Sequence, residues 1–378
     1  MTAPRVIDLE ALLTPIEGES PGGTNPREDT SATSLYYRIK DLRNAARTAE
    51  RGAIDLDAAK PEEWHSVAEL ANTLIATQAK DLESAAWLTE ALLRVEGFTG
   101  LRDGFNLIQG LTEQFWGYLY PEADEDGLES KVAPIAGLNG SGTSGTLEQP
   151  IRMVPLVSSA NGSYSLWHYE QAMDLERITD ADRRQARIEA GAITLEKFNE
   201  VVRDATPQDV VATLEVVEEC RVALKSMSEA LDVAAGPDSP SIGTIRDLLE
   251  RIAGSIRHFG ADKIAAVAAA AAAAAAEGIV EEGGAAGGPG ETAGGRGVVR
   301  IDGFASREEA LAALARIASF FRKTEPHSPI SYTIDDAVRR ARMSLPDLLM
   351  ELTQEPAHAE YILLAAGIKG ATAVPNPS

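Results

Sequence analysis

Residues 80–94 read Lys-Asp-Leu-Glu-Ser-Ala-Ala-Trp-Leu-Thr-Glu-Ala-Leu-Leu-Arg. Its apolar residues recur at three- and four-residue spacing, which is the period of an amphipathic α-helix. Gly97 follows two residues after Val95, and glycine is the residue that commonly ends a helix. The stretch therefore predicts a helix from Asp81 to Val95 with one wide apolar face.

The sequence on either side repeats this helical pattern. Apolar stripes at helical spacing occupy residues 63–77, 101–116, 206–231 and 241–259. Thr206 directly precedes Pro207, the arrangement of an N-cap residue and a first helical residue. The exception is the segment 151–157, Ile-Arg-Met-Val-Pro-Leu-Val, which reads as a strand. With the turn that follows, it predicts a short hairpin near 151–166, and further helices occupy 166–260.

The domain organisation follows from a change in composition after the last of these helices. Residues 264–276 are mostly alanine, which favours a solvated or lightly packed helix. Residues 277–298 are rich in glycine and cannot form a core. We therefore expect a helical N-terminal region at 1–262, an alanine-rich helix and flexible glycine-rich linker at 263–298, and a small helical domain at 299–370.

Composition and charge exclude several classes of protein. Apolar residues make up 44% of the chain and charged residues 25%, which is a globular composition. The net charge of −23 opposes binding to nucleic-acid phosphates or to anionic lipid. Cys220 cannot form an internal disulfide, and the first residues lack the apolar core of a signal peptide. We expect a cytoplasmic protein with no membrane insertion and no nucleic-acid partner.

No motif in the sequence assembles a catalytic, cofactor-binding or metal site. Gly140, Gly142 and Gly145 fit a dinucleotide-binding pattern by letter, but no convincing strand precedes them and no helix is expected after them. The five histidines are scattered and lack the spacing of metal ligands. We expect a protein without enzymatic activity and without a cofactor. A nucleotide- or metal-dependent enzyme, with its site built from distant residues, and a helical nucleic-acid-binding protein are kept as alternatives.

The small C-terminal domain offers candidate contact residues. About 70 residues is close to the size at which one core is only marginally stable, so self-association would supply further burial. Apolar residues line one face of its first helix, from Ala310 onward, and arginines cluster on a later helix. That cluster is either a solvated face or a docking face for an acidic surface. The candidate oligomerisation or partner residues are Leu314, Ile317, Phe321, His327, Arg339, Arg340 and Arg342.

The N-terminal region resembles the ImpA-related N-terminal domain of the TssA family of bacterial type VI secretion. The likeness rests on Ser20-Pro21-Gly22-Gly23, on residues 80–94, on Phe115-Trp116 and on Leu119-Tyr120-Pro121. Within these motifs we expect a structural core formed by Asp81, Trp87, Glu90 and Trp116. The C-terminal residues are similar to those of the short members of the family.

The resemblance implies a function that the residues alone do not state. It implies a cytoplasmic assembly factor for the contractile tail, which forms a homo-oligomeric ring through its C-terminal domain. It implies contacts with baseplate, tube and sheath proteins, and it provides no catalytic residues. A baseplate-associated role is favoured, and a distal cap of the tail sheath is the alternative.

Overall fold

The computed structural model describes residues 3–52, 61–125, 127–140, 144–277, 307–324, 330–343 and 351. The chain divides into two units, Met1–Ala285 and Ala286–Ser378.

Helices form most of the described chain. In the first unit they are α1 (Leu9–Leu12), α2 (Leu35–Gly52), α3 (Glu63–Thr77), α4 (Leu82–Glu96), α5 (Phe98–Phe115), α6 (Leu128–Asn139), α7 (Glu148–Met153), α8 (Leu166–Glu176), α9 (Ala181–Glu189), α10 (Leu195–Asp204), α11 (Pro207–Ala235), α12 (Gly243–Phe259) and α13 (Ala261–Glu277). A hairpin of β1 (Pro155–Ser159) and β2 (Gly162–Ser165) lies between α7 and α8, and the second unit contributes α14 (Arg307–Thr324) and α15 (Ile330–Ala341). The predicted fold class, mainly α with a short hairpin, is confirmed.

Helix α4 lies at the centre of the first unit. It packs between α3 and α5, while α2 packs on α3 and the long helix α11 packs on α5. All but three of the 15 residues of α4 are buried, including the charged Glu90 and Arg94. A helix buried on nearly every side cannot leave such groups to water, so their partners must come from neighbouring helices.

Two glycines allow α5 to approach α4 closely. A Cβ atom on Gly100 would lie 2.2 Å from the carbonyl oxygen of Leu92, and one on Gly104 would lie 2.6 Å from the side chain of Thr89. Four residues apart, the two glycines share one face of α5. The tight contact between the two central helices therefore requires glycine at both positions.

The ends of α3 and α4 and the start of α11 lie at or within one residue of the predicted positions. Helix α3 spans residues 63–77 as predicted. Asp81 caps α4 and accepts a hydrogen bond of 2.6 Å from the amide of Ser84. Thr206 caps α11 and accepts one of 3.1 Å from the amide of Asp209, with Pro207 as the first helical residue.

The predicted strand at 151–157 is wrong in its first half. Residues Ile151–Met153 belong to α7, and β1 begins only at Pro155. Pro150 is the third residue of α7, where a missing backbone N–H breaks no helical hydrogen bond. Val154 is extended because it precedes a proline. The hairpin itself is present, with Ser159 opposite Gly162.

The alanine-rich helix α13 is attached to the first unit at its beginning. The Nζ atom of Lys263 donates hydrogen bonds to the carbonyl oxygens of Arg203 and Ala205, at 2.9 and 2.6 Å. Ile264 packs against the core, whereas the alanines from Ala268 to Ala273 are exposed. The helix is lightly packed, in keeping with its composition.

In the second unit, α14 packs against α15. Among the described side chains of α14, Leu311 and Ala318 are buried. Leu314 and Ile317, two of the candidate oligomerisation residues, are 39% and 40% exposed. Successive helix residues are 100° apart, so the apolar residues of α14 span a wider arc than one neighbouring helix can cover. The apolar residues at one edge of that arc therefore remain exposed to solvent. Ser306 and Ala310 lie outside the side chains that the structure describes.

Removal of a central aromatic side chain should destabilise the first unit. Trp87 is 4% exposed and contacts the ring of Tyr36. We expect Trp87→Ala to lower the free energy of unfolding by about 3–5 kcal/mol, because it leaves a cavity among packed helices. Urea denaturation measures this change, and Tyr118→Ala, at an exposed position, is the control. A loss below about 1 kcal/mol would contradict the central position of α4.

Candidate functional site

Three successive groups of charged side chains join α2, and the residues just before it, to α4. We call these groups the ion-pair ladder. It consists of the pairs Arg27–Asp81, Arg27–Glu83, Arg43–Glu90 and Arg94–Glu50. Each group also contains an aromatic ring: Tyr36 of α2, Trp87 of α4 and Trp64 of α3. The ladder contains most of the charged residues of the motif at 80–94.

The first group holds the chain before α2 on the start of α4. Arg27 donates from Nη1 to Oδ2 of Asp81 at 2.7 Å and from Nη2 to Oε2 of Glu83 at 2.5 Å. The hydroxyl of Tyr36 donates to the same Glu83 oxygen at 2.7 Å. Burial raises the pKa of Asp81, and Arg27 and the Ser84 amide oppose that shift.

The second group centres on Glu90, which is 1% exposed. Arg43 donates to its two carboxylate oxygens at 3.0 and 2.6 Å, a bidentate pair. The hydroxyl of Thr146 donates to Oε1 at 2.6 Å. The guanidinium of Arg43 also lies 5.8 Å from the ring centre of Trp87. Glu90 is therefore fully engaged in contacts within the protein.

The third group joins the end of α2 to α3 and α4. Arg94 donates to both carboxylate oxygens of Glu50, at 2.7 and 3.1 Å. The indole N–H of Trp64 donates to Glu50 at 2.7 Å, and the guanidinium of Arg94 lies 4.1 Å from the Trp64 ring centre. Each polar group here has a partner, which is what burial requires.

Lys80 is buried, and among the described residues its ammonium group has no carboxylate partner. Its Nζ atom donates to the carbonyl oxygens of Leu12 and Ile75, at 2.7 and 2.9 Å. Its backbone pairs with Gly22 on one side and Tyr120 on the other. Lys80 thus connects three chain segments, and burial lowers its pKa to about 8.

A second cluster fixes the N-terminal segment to α5 and α11. Arg102 donates to Asp103 at 2.8 Å, to Glu219 at 2.6 Å, and to the carbonyl oxygens of Ala3 and Pro4. Next to Glu219, Cys220 is buried and its pKa is raised by desolvation, which keeps the thiol protonated.

These arrangements hold the described part of the fold together. Their carboxylates and cations have partners within the protein, and no residue of the ladder lines any of the four main clefts of the described chain. Within the described ranges, no group of three His, Cys, Asp or Glu residues could hold a metal ion. The same part of the chain has no helix long and apolar enough to cross a membrane.

The expected motif core lies inside the first unit. Asp81, Trp87 and Glu90 are buried, whereas Trp116 is half-buried beneath the Nζ atom of Lys131, 4.9 Å from its ring centre. The partners from outside the motif were not found from the sequence. Glu90 and Arg94, one helical turn apart in an apolar helix, were the available signal that charges there need partners.

The C-terminal candidates separate into apolar and charged groups. Leu314 and Ile317 are exposed, together with Phe320, Ile330 and Tyr332, which the sequence analysis missed. We call these five residues the apolar patch. Phe321 is half-buried, and His327 lies outside the described residues.

The arginine cluster carries less free charge than the sequence suggests. Arg339 donates to Asp336 and to Glu351, each at 2.6 Å from Nη2. Arg340 donates to Glu351 from Nε at 2.9 Å. Arg342 is exposed. The acidic neighbours offset much of the positive charge expected of this helix, and such exposed pairs contribute little stability.

Comparisons with known proteins agree with the fold and the motif. The family described as "ImpA, N-terminal, type VI secretion system" matches residues 13–140. The type VI secretion system component TssA1 of Pseudomonas aeruginosa is 28% identical over 341 residues, which cover 86% of this chain and 89% of that protein.

A solved structure adds the three-dimensional comparison. It is the N-terminal domain, including the conserved ImpA_N region, of the TssA component of the type VI secretion system from Burkholderia cenocepacia. It matches with a TM-score of 0.58 and 28% identity, covering 70% of this chain and 99% of that one. The front of the chain is thus a helical domain of the ImpA N-terminal class. Over most of its length the chain is similar to the TssA components of type VI secretion systems.

The buried Lys80 should give the stability a distinctive pH dependence. Between about pH 8 and 10.5 the unfolded chain retains the Lys80 proton that the folded chain has lost. The free energy of unfolding therefore rises with pH through this window, by about 3 kcal/mol from this group. We expect the stability difference between the wild type and Lys80→Met to grow by about 2–3 kcal/mol between about pH 7 and 10.

Urea denaturation at the two pH values measures that difference. Lys225→Met, at an exposed position of α11, is the control for general effects of removing a lysine. A wild-type advantage over Lys80→Met that does not change with pH would show that Lys80 keeps its proton in the folded chain.

Proposed function

We propose that this protein is a cytoplasmic, non-enzymatic assembly factor of the type VI contractile tail. In this proposal the C-terminal domain joins copies of the chain into a ring, and the N-terminal domain contacts baseplate, tube and sheath proteins. A baseplate-associated role is favoured over a distal cap of the sheath, because the C-terminal domain is short.

The observation that carries this proposal is the apolar patch. Its five large apolar side chains lie exposed on two helices that bury few residues of their own. Exposed aromatic and aliphatic side chains are typical of protein–protein contact surfaces. A ring of identical copies would cover the patch with the same surface of a neighbour, or with a complementary one.

The first unit supports the non-enzymatic part of the proposal. Its buried charges serve as partners for one another, and its relatives by name are components of the secretion machinery. Many copies held on one ring would raise the effective concentration of weak contacts with a symmetric tail. The predicted glycine-rich linker would let each N-terminal domain reach its partner despite a mismatch of symmetry.

A charge placed in the apolar patch should reduce assembly without unfolding the chain. Because Ile317 is 40% exposed, Ile317→Asp does not bury a charge within one chain. We expect the mass of the full-length protein, measured by light scattering, to fall, while its helical circular dichroism is retained. Phe320→Asp should act in the same way.

Ser319→Asp is the matched control, since Ser319 is exposed and lies on the side of α14 opposite Ile317. An equal loss of mass in the control would show that charge alone disrupts assembly. A wild-type protein that remains a single chain at working concentration would refute the ring.

A further inference from the structure

A cleft of about 860 Å³ opens on the first unit beside α8, α9 and α12. Its charged lining is unusual for so acidic a protein. The arginines are Arg152, Arg177, Arg183, Arg187 and Arg251, and the carboxylates are Glu170, Asp174 and Asp180. Five cations face three anions here, although the whole chain carries a net charge of −23.

All three carboxylates of the cleft are already engaged. Glu170 pairs with both Arg152 and Arg251. Asp174 accepts from Arg177 at 3.0 Å. Asp180 caps α9 by accepting from a backbone amide at 2.9 Å. None of them neutralises the remaining two arginines.

Arg183 and Arg187 are the unpaired cations of the cleft. Both side chains are exposed, and neither guanidinium has a hydrogen-bond or ion-pair partner among the residues that the structure describes. Four residues apart on α9, they lie on the same face of the helix. Two neighbouring positive charges repel each other, so an anion between them would be stabilising.

Helix α9 is only weakly held by the rest of the first unit, as expected of a helix that contacts a partner protein. It has nine residues and buries none of them. An isolated helix this short is marginal in water. Arg184, which pairs with Glu176 of α8, provides its main described polar attachment. A ligand that contacts Arg183 and Arg187 would therefore also order the helix.

The rest of the lining is apolar enough to contact more than a small anion. Trp167, Met173 and Ile178 are partly exposed in the cleft. A chain segment with both carboxylates and apolar side chains fits these two kinds of lining better than a free ion does. A continuous phosphate backbone fits less well, because it carries a negative charge at every nucleotide and cannot keep those charges away from Asp174 and Asp180.

We propose that this cleft is a docking site for an acidic segment of a partner protein. Carboxylates of the segment pair with Arg183 and Arg187, while its apolar side chains contact Trp167 and Ile178. The proposal rests on the proposed function in one respect, since it gives the N-terminal unit a chemically defined partner contact. It does not depend on the ring.

The test uses the full-length protein and a short fluorescein-labelled peptide of alternating glutamate and leucine, with binding followed by fluorescence anisotropy. We expect Arg183→Glu/Arg187→Glu to weaken binding by at least about tenfold. Lys225→Glu/Arg246→Glu makes the same change in net charge at exposed positions outside the cleft and should change binding less than about twofold. The same peptide with glutamine in place of glutamate should not bind.

Three outcomes would overturn the docking site. These are no binding of the acidic peptide, equal weakening by both double variants, or tighter binding of a single-stranded oligonucleotide than of the peptide. The mass of Arg183→Glu/Arg187→Glu in solution separates this proposal from the ring. We expect that mass to equal the wild-type value, so loss of peptide binding with an unchanged mass would be assigned to the cleft alone.

Discussion

The fold depends on the pairing of Glu90, a carboxylate inside the most buried helix, with Arg43 from α2. An unpaired charge at such a depth costs several kcal/mol, so α4 can occupy the centre only if α2 brings its arginine to that point. The groups around Arg27 and Arg94 repeat this requirement at the two ends of α4. Because charged pairs tolerate little change in geometry, they fix the position of α2 along α4, which apolar packing alone specifies less sharply.

This requirement also explains where function can lie. The motif at residues 80–94 contains two basic and three acidic side chains, which could suggest a reactive site. These charged groups are instead bound to partners within the fold. What remains available lies on surfaces: the apolar patch of the second unit and the arginine-lined cleft beside α9. Both suit contact with other proteins, which is the work expected of a component of a secretion machine.

Much of the fold was predictable from local rules, and the ladder was not. Helical spacing and capping predict α3, α4 and the start of α11, because these features depend on residues close together in the sequence. The partners in the ladder are 44 to 56 residues apart, beyond the reach of any local pattern. The first turn of α7 was missed because Pro150 suggested a break where it is tolerated. The exposure of Leu314 could not be predicted, because it depends on which side of α14 is covered by α15.

A double-mutant cycle on Arg43 and Glu90 measures how strongly this buried pair stabilises the fold. Unfolding free energies of the wild type, Arg43→Met, Glu90→Gln and the double variant give the coupling between the two side chains. If the fold depends on this pair, the coupling is at least about 1 kcal/mol, against less than about 0.5 kcal/mol for the exposed Lys225–Glu229 pair on α11. A coupling for Arg43 and Glu90 no larger than that of the surface pair would show that the fold does not depend on it.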